Sequence, residues 1–198
     1  TLKNTQALIQ GFRDNGARVP YGGSDSHMAL LDCKTFTGPD GTPLTGDLGA
    51  RILDLVGIVA NRNTIPGDRS ALSATGIRFG TTWLTQRGFK EAEMAEIARL
   101  IVQLFNATKP YPMPARSGEK ARAKVDFHTM TIVNDAVREL ADSKPAMDEI
   151  PTKHGYPHYF YASDRPTEGY GAFELSGEGI RTFLNYTLTN DIEDLEPG

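Results

Sequence analysis

Cysteine is almost missing from this 198-residue chain, and Cys33 stands alone. A single thiol excludes an intramolecular disulfide framework and any zinc site built on several cysteines. Long apolar runs are missing too. No stretch approaches the length of a membrane span, and the start has no basic-then-apolar leader. There is no excess of positive charge: 21 basic residues face 25 acidic ones, for a net charge of −4. That balance has the wrong sign for a protein that binds nucleic acid by neutralising phosphates. These absences leave a soluble cytoplasmic protein as the expectation. What is present is 39% hydrophobic residues, a mean hydropathy of −0.37, 20 glycines and 12 prolines. This supports a packed core over part of the chain, with many loops, in one large domain or one domain plus appendages.

Residue 1 is Thr, and the last residues run Asp191-Ile192-Glu193-Asp194-Leu195-Glu196-Pro197-Gly198. Neither end reads as a finished terminus, so the expectation is a piece of a longer protein.

Hydrophobic spacing predicts a helix over 1–16, with Leu2, Leu8, Ile9 and Phe12 near one stripe and Asn15-Gly16 as its stop. Met28 to Cys33 is a short apolar run expected to form a buried strand. Pro39-Asp40-Gly41 marks a turn. Thr45 or Asp47 caps a second helix reaching about Val56, with Gly57 as stop. Strands are expected at Ile58–Asn61 and Gly76–Gly80, and Thr81–Leu84 reads as a helical turn. Lys90 to Asn106 carries a clean apolar stripe (Met94, Ile97, Ala98, Ile101, Leu104, Phe105) with Glu91 and Glu93 at its N-terminal end. With no crossover helix between them, the second and third strands should be antiparallel. The first 106 residues thus read as an α+β unit: a short antiparallel sheet packed with helices.

Beyond Thr108, the prolines at 110, 112 and 114 exclude helix. A helix is expected over about 117–143, then a Pro/Tyr/His-rich stretch to 165. Gly171–Ser176 alternates like a strand, and a helix follows from Ser176 or Gly177. The resulting division is 1–106, a linker of 107–165 with one helix, and a partial strand–helix module at 166–198.

Arg78 is the most informative charge. It sits mid-strand between Ile77 and Phe79, bracketed by Gly76 and Gly80. A buried or semi-buried arginine needs an anion, and its planar fork suits a carboxylate. That anion is either a ligand or an internal acidic residue. Asn61 and Asn63, at alternate positions, could orient a polar heterocycle, or serve as ordinary turn residues ahead of Pro66. Ser24-Asp25-Ser26-His27 contains the residue types of a nucleophilic triad. However, adjacent residues of an extended chain face opposite ways and triads assemble from distant positions, so a strand-entry turn is expected. His154 and His158 are separated by Gly155 and Pro157, which argues against a helical metal pair. Gly169 and Gly171 lack the lysine of a phosphate loop. Cys33, among apolar neighbours, reads as an inert core thiol.

Taken together, GGSDSHMALLD, ILDLVGIVANRNTIPGD and TGIRFGTTWLTQRGFKEAEMAEIARLI resemble the C-terminal small domain of serine hydroxymethyltransferase over about residues 1–106. That family binds pyridoxal phosphate as a Schiff base and moves a one-carbon unit between serine and tetrahydrofolate. The resemblance implies an α+β small domain like that of fold-type I pyridoxal-phosphate enzymes. It aligns Arg78 with the arginine that holds the substrate's carboxylate, and Asn63 with a position that touches folate. Two departures stand out. Ser24-Asp25-Ser26-His27 replaces the family's Thr-Asp-Asn-His. The loop Gly67-Asp68-Arg69-Ser70-Ala71-Leu72 replaces Asp-Pro-x-Ser-Pro-Phe and is one residue shorter, which bears on folate binding. None of the eight lysines lies in a Thr-x-His-Lys-Thr context, so no catalytic residue and no Schiff-base lysine is assigned within this chain. Neither composition nor spacing points to a metal.

Gly171–Gly177 and FLNYTLTNDIEDLEPG resemble the start of aminomethyltransferase, the glycine-cleavage T-protein. Both resemblances point to glycine and folate one-carbon metabolism. The leading expectation is therefore the C-terminal domain of a serine (glycine) hydroxymethyltransferase-like transferase that uses pyridoxal phosphate and tetrahydrofolate, inactive alone. Its partners would be glycine or serine, folate, an N-terminal cofactor-binding domain and a second copy in a homodimer, with no nucleic acid or membrane. The alternative is a non-catalytic relic domain fused to an aminomethyltransferase.

Overall fold

The computed structural model describes residues 1–115, 118–144 and the single helical residue Ile180. The chain divides into two units, Thr1–Ile150 and Pro151–Gly198. All strands among the described residues lie in the first. The expectations for Tyr156–Tyr161, His154 and His158, the 171–176 strand, the helix after it apart from Ile180, and the aminomethyltransferase-like segment fall outside the described residues.

Helix α1 (Leu2–Asp14) buries Leu8, Ile9 and Phe12, while Leu2 stays 58% exposed and off the stripe. Gly11 lets α1 cross helix α4 (Glu91–Asn106) closely, because a Cβ there would lie 2.7 Å from the Ala98 Cβ. Asn4 rivets the start of α1 to the far end of the unit: its Nδ2 donates to the Phe89 carbonyl at 2.8 Å and to the Thr85 hydroxyl at 2.9 Å. Strand β1 (Met28–Asp32), helix α2 (Gly46–Leu55, capped by Thr45), strand β2 (Asn61–Asn63) and strand β3 (Gly76–Gly80) follow, then helix α3 (Thr82–Gln86) ahead of α4.

The sheet order is β1-β3-β2, antiparallel throughout. Strand alternation sends Ala29, Leu31, Ile77 and Phe79 to one face, all buried. Phe79 meets Phe12 with ring centroids 5.4 Å apart, and Phe36 meets Phe105 at 5.1 Å. The core thus lies between the inner sheet face and helices α1, α2 and α4. This is the α+β arrangement expected, with two corrections of detail.

The second strand starts at Asn61, not Ile58. Gly57 adopts φ +80°, and the Ile58 N–H returns to the Leu53 carbonyl at 3.0 Å, so residues 58–60 finish the turn out of α2. Val59 is 86% exposed. The helix expected over 117–143 is shorter. Strands β4 (Thr108–Ala115) and β5 (Gly118–Val125) form an antiparallel hairpin, and helix α5 runs only over Phe127–Asp142. Asp126 caps α5 by accepting the Thr129 N–H at 2.8 Å. Helix propensity in EKARAK gives way to pairing with β4. The prolines that exclude helix still permit a strand, provided their nitrogens point away from the neighbouring strand. The hairpin and α5 belong to the core through Val133, Ala123, Val125, Val137 and Leu140.

Candidate functional site

The sheet's outer face is the polar one. Register places Arg78 at its centre, directly opposite Leu30 on one side and Asn61 on the other. Asn63 lies opposite Gly76. Arg78 and Asn63 are therefore diagonal neighbours on one face, about 7–8 Å apart. The same face carries Gly76 and Gly80, two residues either side of Arg78, so no side chain walls in the guanidinium along β3. The space over Gly80 is open, whereas a Cβ on Gly76 would fall 2.3 Å from Ile65 Cγ2.

Burial corrects one expectation. Arg78 is exposed in this chain, neither buried nor semi-buried. Nor does it have the internal acidic partner that a buried arginine would demand: among the described residues it makes no ion pair and no side-chain hydrogen bond. The buried carboxylate on its face, Asp32, is taken by Arg18 and by the Lys34 N–H at 2.9 Å. Arg62, on the opposite face, reaches Asp47 of α2 at 3.1 Å. Asn63 donates to the Thr64 carbonyl at 2.7 Å, so its amide is held locally.

The loop between β2 and β3 is locked by Asp68, a residue not singled out from sequence. Its carboxylate accepts the Thr75 hydroxyl at 2.5 Å, the Thr75 N–H at 2.9 Å and the Ile65 N–H at 3.0 Å, with Lys34 4.0 Å away. Burial pushes this carboxyl upward. The bonds from Thr75 and Ile65 and the Lys34 charge outweigh it, leaving Asp68 below the usual carboxylate range. Pro66-Gly67 signalled the turn in the sequence, but the bonding partner Thr75 seven residues on did not show.

Ser24-Asp25-Ser26-His27 is a turn, as expected. The Ser24 and Ser26 hydroxyls lie 3.0 Å apart, the Met28 N–H donates to Ser26, and Asp25 and His27 are exposed. Cys33 is fully buried. Burial, with the negative charges of Asp32 and Asp68, pushes its thiol far above the ordinary range, so it is no nucleophile. No cluster of three His, Cys, Asp or Glu side chains able to hold a metal occurs among the described residues. Nor, among them, is any helix long and apolar enough to cross a membrane. An apolar cavity of about 480 Å³ lies between α3, α4 and α5 and reaches Gly80 at the end of β3. Trp83, Leu84, Ile97, Val137 and Leu140 line it, along with Thr81 and Arg87, and no lysine or carboxylate does.

The family model for serine hydroxymethyltransferase matches residues 1–101. The probable cytosolic serine hydroxymethyltransferase of Schizosaccharomyces pombe is 33% identical over 156 residues, covering 75% of this chain and 32% of that protein. The serine hydroxymethyltransferase of Caenorhabditis elegans is 33% identical over 157 residues (79% and 29%). The cytosolic enzyme of Aspergillus fumigatus is 39% identical over 145 residues (71% and 30%). The chain spans about a third of the length of these curated relatives. With more than half of its residues matched by the family model, and with the sheet that carries Arg78 inside the matched region, the chain belongs to the serine hydroxymethyltransferase family.

Proposed function

We propose that this chain is the C-terminal domain of a pyridoxal phosphate- and tetrahydrofolate-dependent hydroxymethyltransferase, in which Arg78 holds the carboxylate of glycine or serine. One observation carries the reading: Arg78 stands unpaired and exposed among the described residues, opposite Asn61, on a sheet face that is open over Gly80. A guanidinium presents a planar fork that a carboxylate matches with two parallel hydrogen bonds. Asn63, diagonal to it, is the proposed folate contact.

The described residues do not fit pyridoxal phosphate as a group held by this chain alone. The apolar cavity offers no amine for a Schiff base and no carboxylate for a pyridine nitrogen. Lys34 faces Asp68, Lys144 faces Glu93, and Lys3, Lys90, Lys109, Lys120 and Lys124 lie on the surface. The chemistry on the cofactor therefore belongs to residues other than those described, and what the described residues supply is substrate orientation.

Magnitudes explain why the domain would be silent by itself. An exposed ion pair contributes about 0–1 kcal/mol, too little to hold an amino acid. Truncating one partner of a desolvated, hydrogen-bonded pair costs about 2–5 kcal/mol. Arg78 gains that strength only when the rest of the enzyme covers it. The test is Arg78→Lys and Arg78→Ala in the full-length enzyme. Amino-acid affinity should fall strongly in both, because lysine keeps the charge but loses the fork. Unchanged affinity would remove the role.

A further inference from the structure

The β4–β5 hairpin carries charge out of keeping with the rest of the molecule. Residues 108–125 hold five of the chain's 21 basic residues and one of its 25 acidic residues. Register sorts them by face. Lys109 stands opposite Lys124, Tyr111 opposite Arg122, and Met113 opposite Lys120. The other face pairs Thr108 with Val125, Pro110 with Ala123 and Pro112 with Ala121; its base packs on the core, where Thr108 and Pro110 are buried. The outward face therefore presents four exposed cations around a half-buried tyrosine, whose ring Lys124 approaches to 5.6 Å.

Among the described residues none of the four cations makes an ion pair. Glu119 is on the opposite face. Asp126, at the hairpin's base, feels Lys109, but its carboxylate is engaged by the Thr129 N–H and hydroxyl. Like charges directly opposite each other in a ladder are destabilising, so the Lys109/Lys124 pair is a local cost that a bridging anion would relieve.

We propose that this face is a docking surface for an acidic polypeptide segment in extended conformation. Lys120, Arg122 and Lys124 recur about every 6.8 Å along β5, the spacing at which an extended chain presents alternate side chains on one side. Tyr111 and Met113 supply apolar contact between the charges. Proline at every second position of β4 leaves that strand's outer edge without N–H donors, so added-strand pairing is blocked there and recognition runs through side chains. Four cations neutralise few phosphates, and the acidic remainder of the chain opposes a polyphosphate.

The experiment is fluorescence anisotropy of a labelled peptide of alternating Glu and Thr, titrated with the full chain at low and physiological salt. Saturable binding is expected. It should weaken by about tenfold or more in the double variant Arg122→Glu, Lys124→Glu and remain unchanged in Lys3→Glu on α1. Lys120→Gln, a milder change, should weaken it in the same direction, and thermal melts should show all variants folded. Absence of binding at low salt, or equal binding by the double variant, overturns the proposal. Tighter binding of a labelled oligo-dT than of the peptide also overturns it, assigning the face to nucleic acid.

Discussion

Asp68 grips Thr75 twice. One carboxylate oxygen takes the threonine hydroxyl at 2.5 Å and the other takes its N–H at 2.9 Å, one residue before β3 begins. This bidentate hold sets where the strand carrying Arg78 enters the sheet. Asp68→Ala should destabilise the unit by about 2–4 kcal/mol in denaturant unfolding, since three donors lose a partially buried acceptor. The sign with pH follows from the lowered folded-state pKa. The stabilisation is fully present above the unfolded carboxyl value, near 3.9, and is lost as pH falls through the lower folded value. A mutant with the wild-type acid-unfolding profile would show that Asp68 does not lock the loop.

Glu93 ties the first turn of α4 to the end of α5. The Lys144 ammonium lies 2.9 Å from its carboxylate, and the Lys90 N–H donates to it at 2.8 Å. The Lys144 bond first, then the Lys90 N–H, hold this carboxyl down at about 2, against 4.5 in model compounds. Its contribution should be intact above pH 4.5 and disappear as pH drops toward 2. Glu93→Gln should cost about 1 kcal/mol at neutral pH, because the amide still accepts the Lys90 N–H but no longer holds the Lys144 ammonium by charge, and most of that cost should vanish at pH 2. Urea melts of both proteins at the two pH values measure this.

Two glycines of β3 should respond oppositely to the same methyl group. A Cβ on Gly76 would lie 2.3 Å from Ile65 Cγ2 and 2.8 Å from the Asn63 carbonyl oxygen, so Gly76→Ala must displace β2 and should cost about 1–3 kcal/mol. Gly80→Ala meets open space. It should leave the melting temperature within a few degrees of wild type. In the full-length enzyme it narrows the face beside Arg78, so amino-acid affinity should fall without loss of stability. Equal melting temperatures for the two variants would contradict this packing.

Much of the fold of the first 106 residues is legible in their amino-acid sequence. The α1 and α4 stripes, the Met28 and Gly76 strands, the Thr45 cap and the antiparallel pairing follow from local rules, because each depends on residues within a turn or two of each other. The motifs around Arg78 and Asn63 are legible as a resemblance. That these residues share one face is not, because it depends on the register of β2 against β3.

What the sequence determined alone was composition and local period: an α+β chain with one inert thiol, no framework of disulfides and an arginine placed mid-strand between Ile77 and Phe79. Tertiary structure decided what that period could not. It left Arg78 exposed instead of buried, because nothing among the described residues covers the outer sheet face there. It also turned EKARAK from the start of an expected helix into a strand, because the proline-bearing β4 offers hydrogen bonds across the hairpin that an isolated segment never sees. On a helix, Lys120 and Lys124 would share a face and Arg122 would point away on the opposite side. Paired to β4, they line up on one side with Lys109.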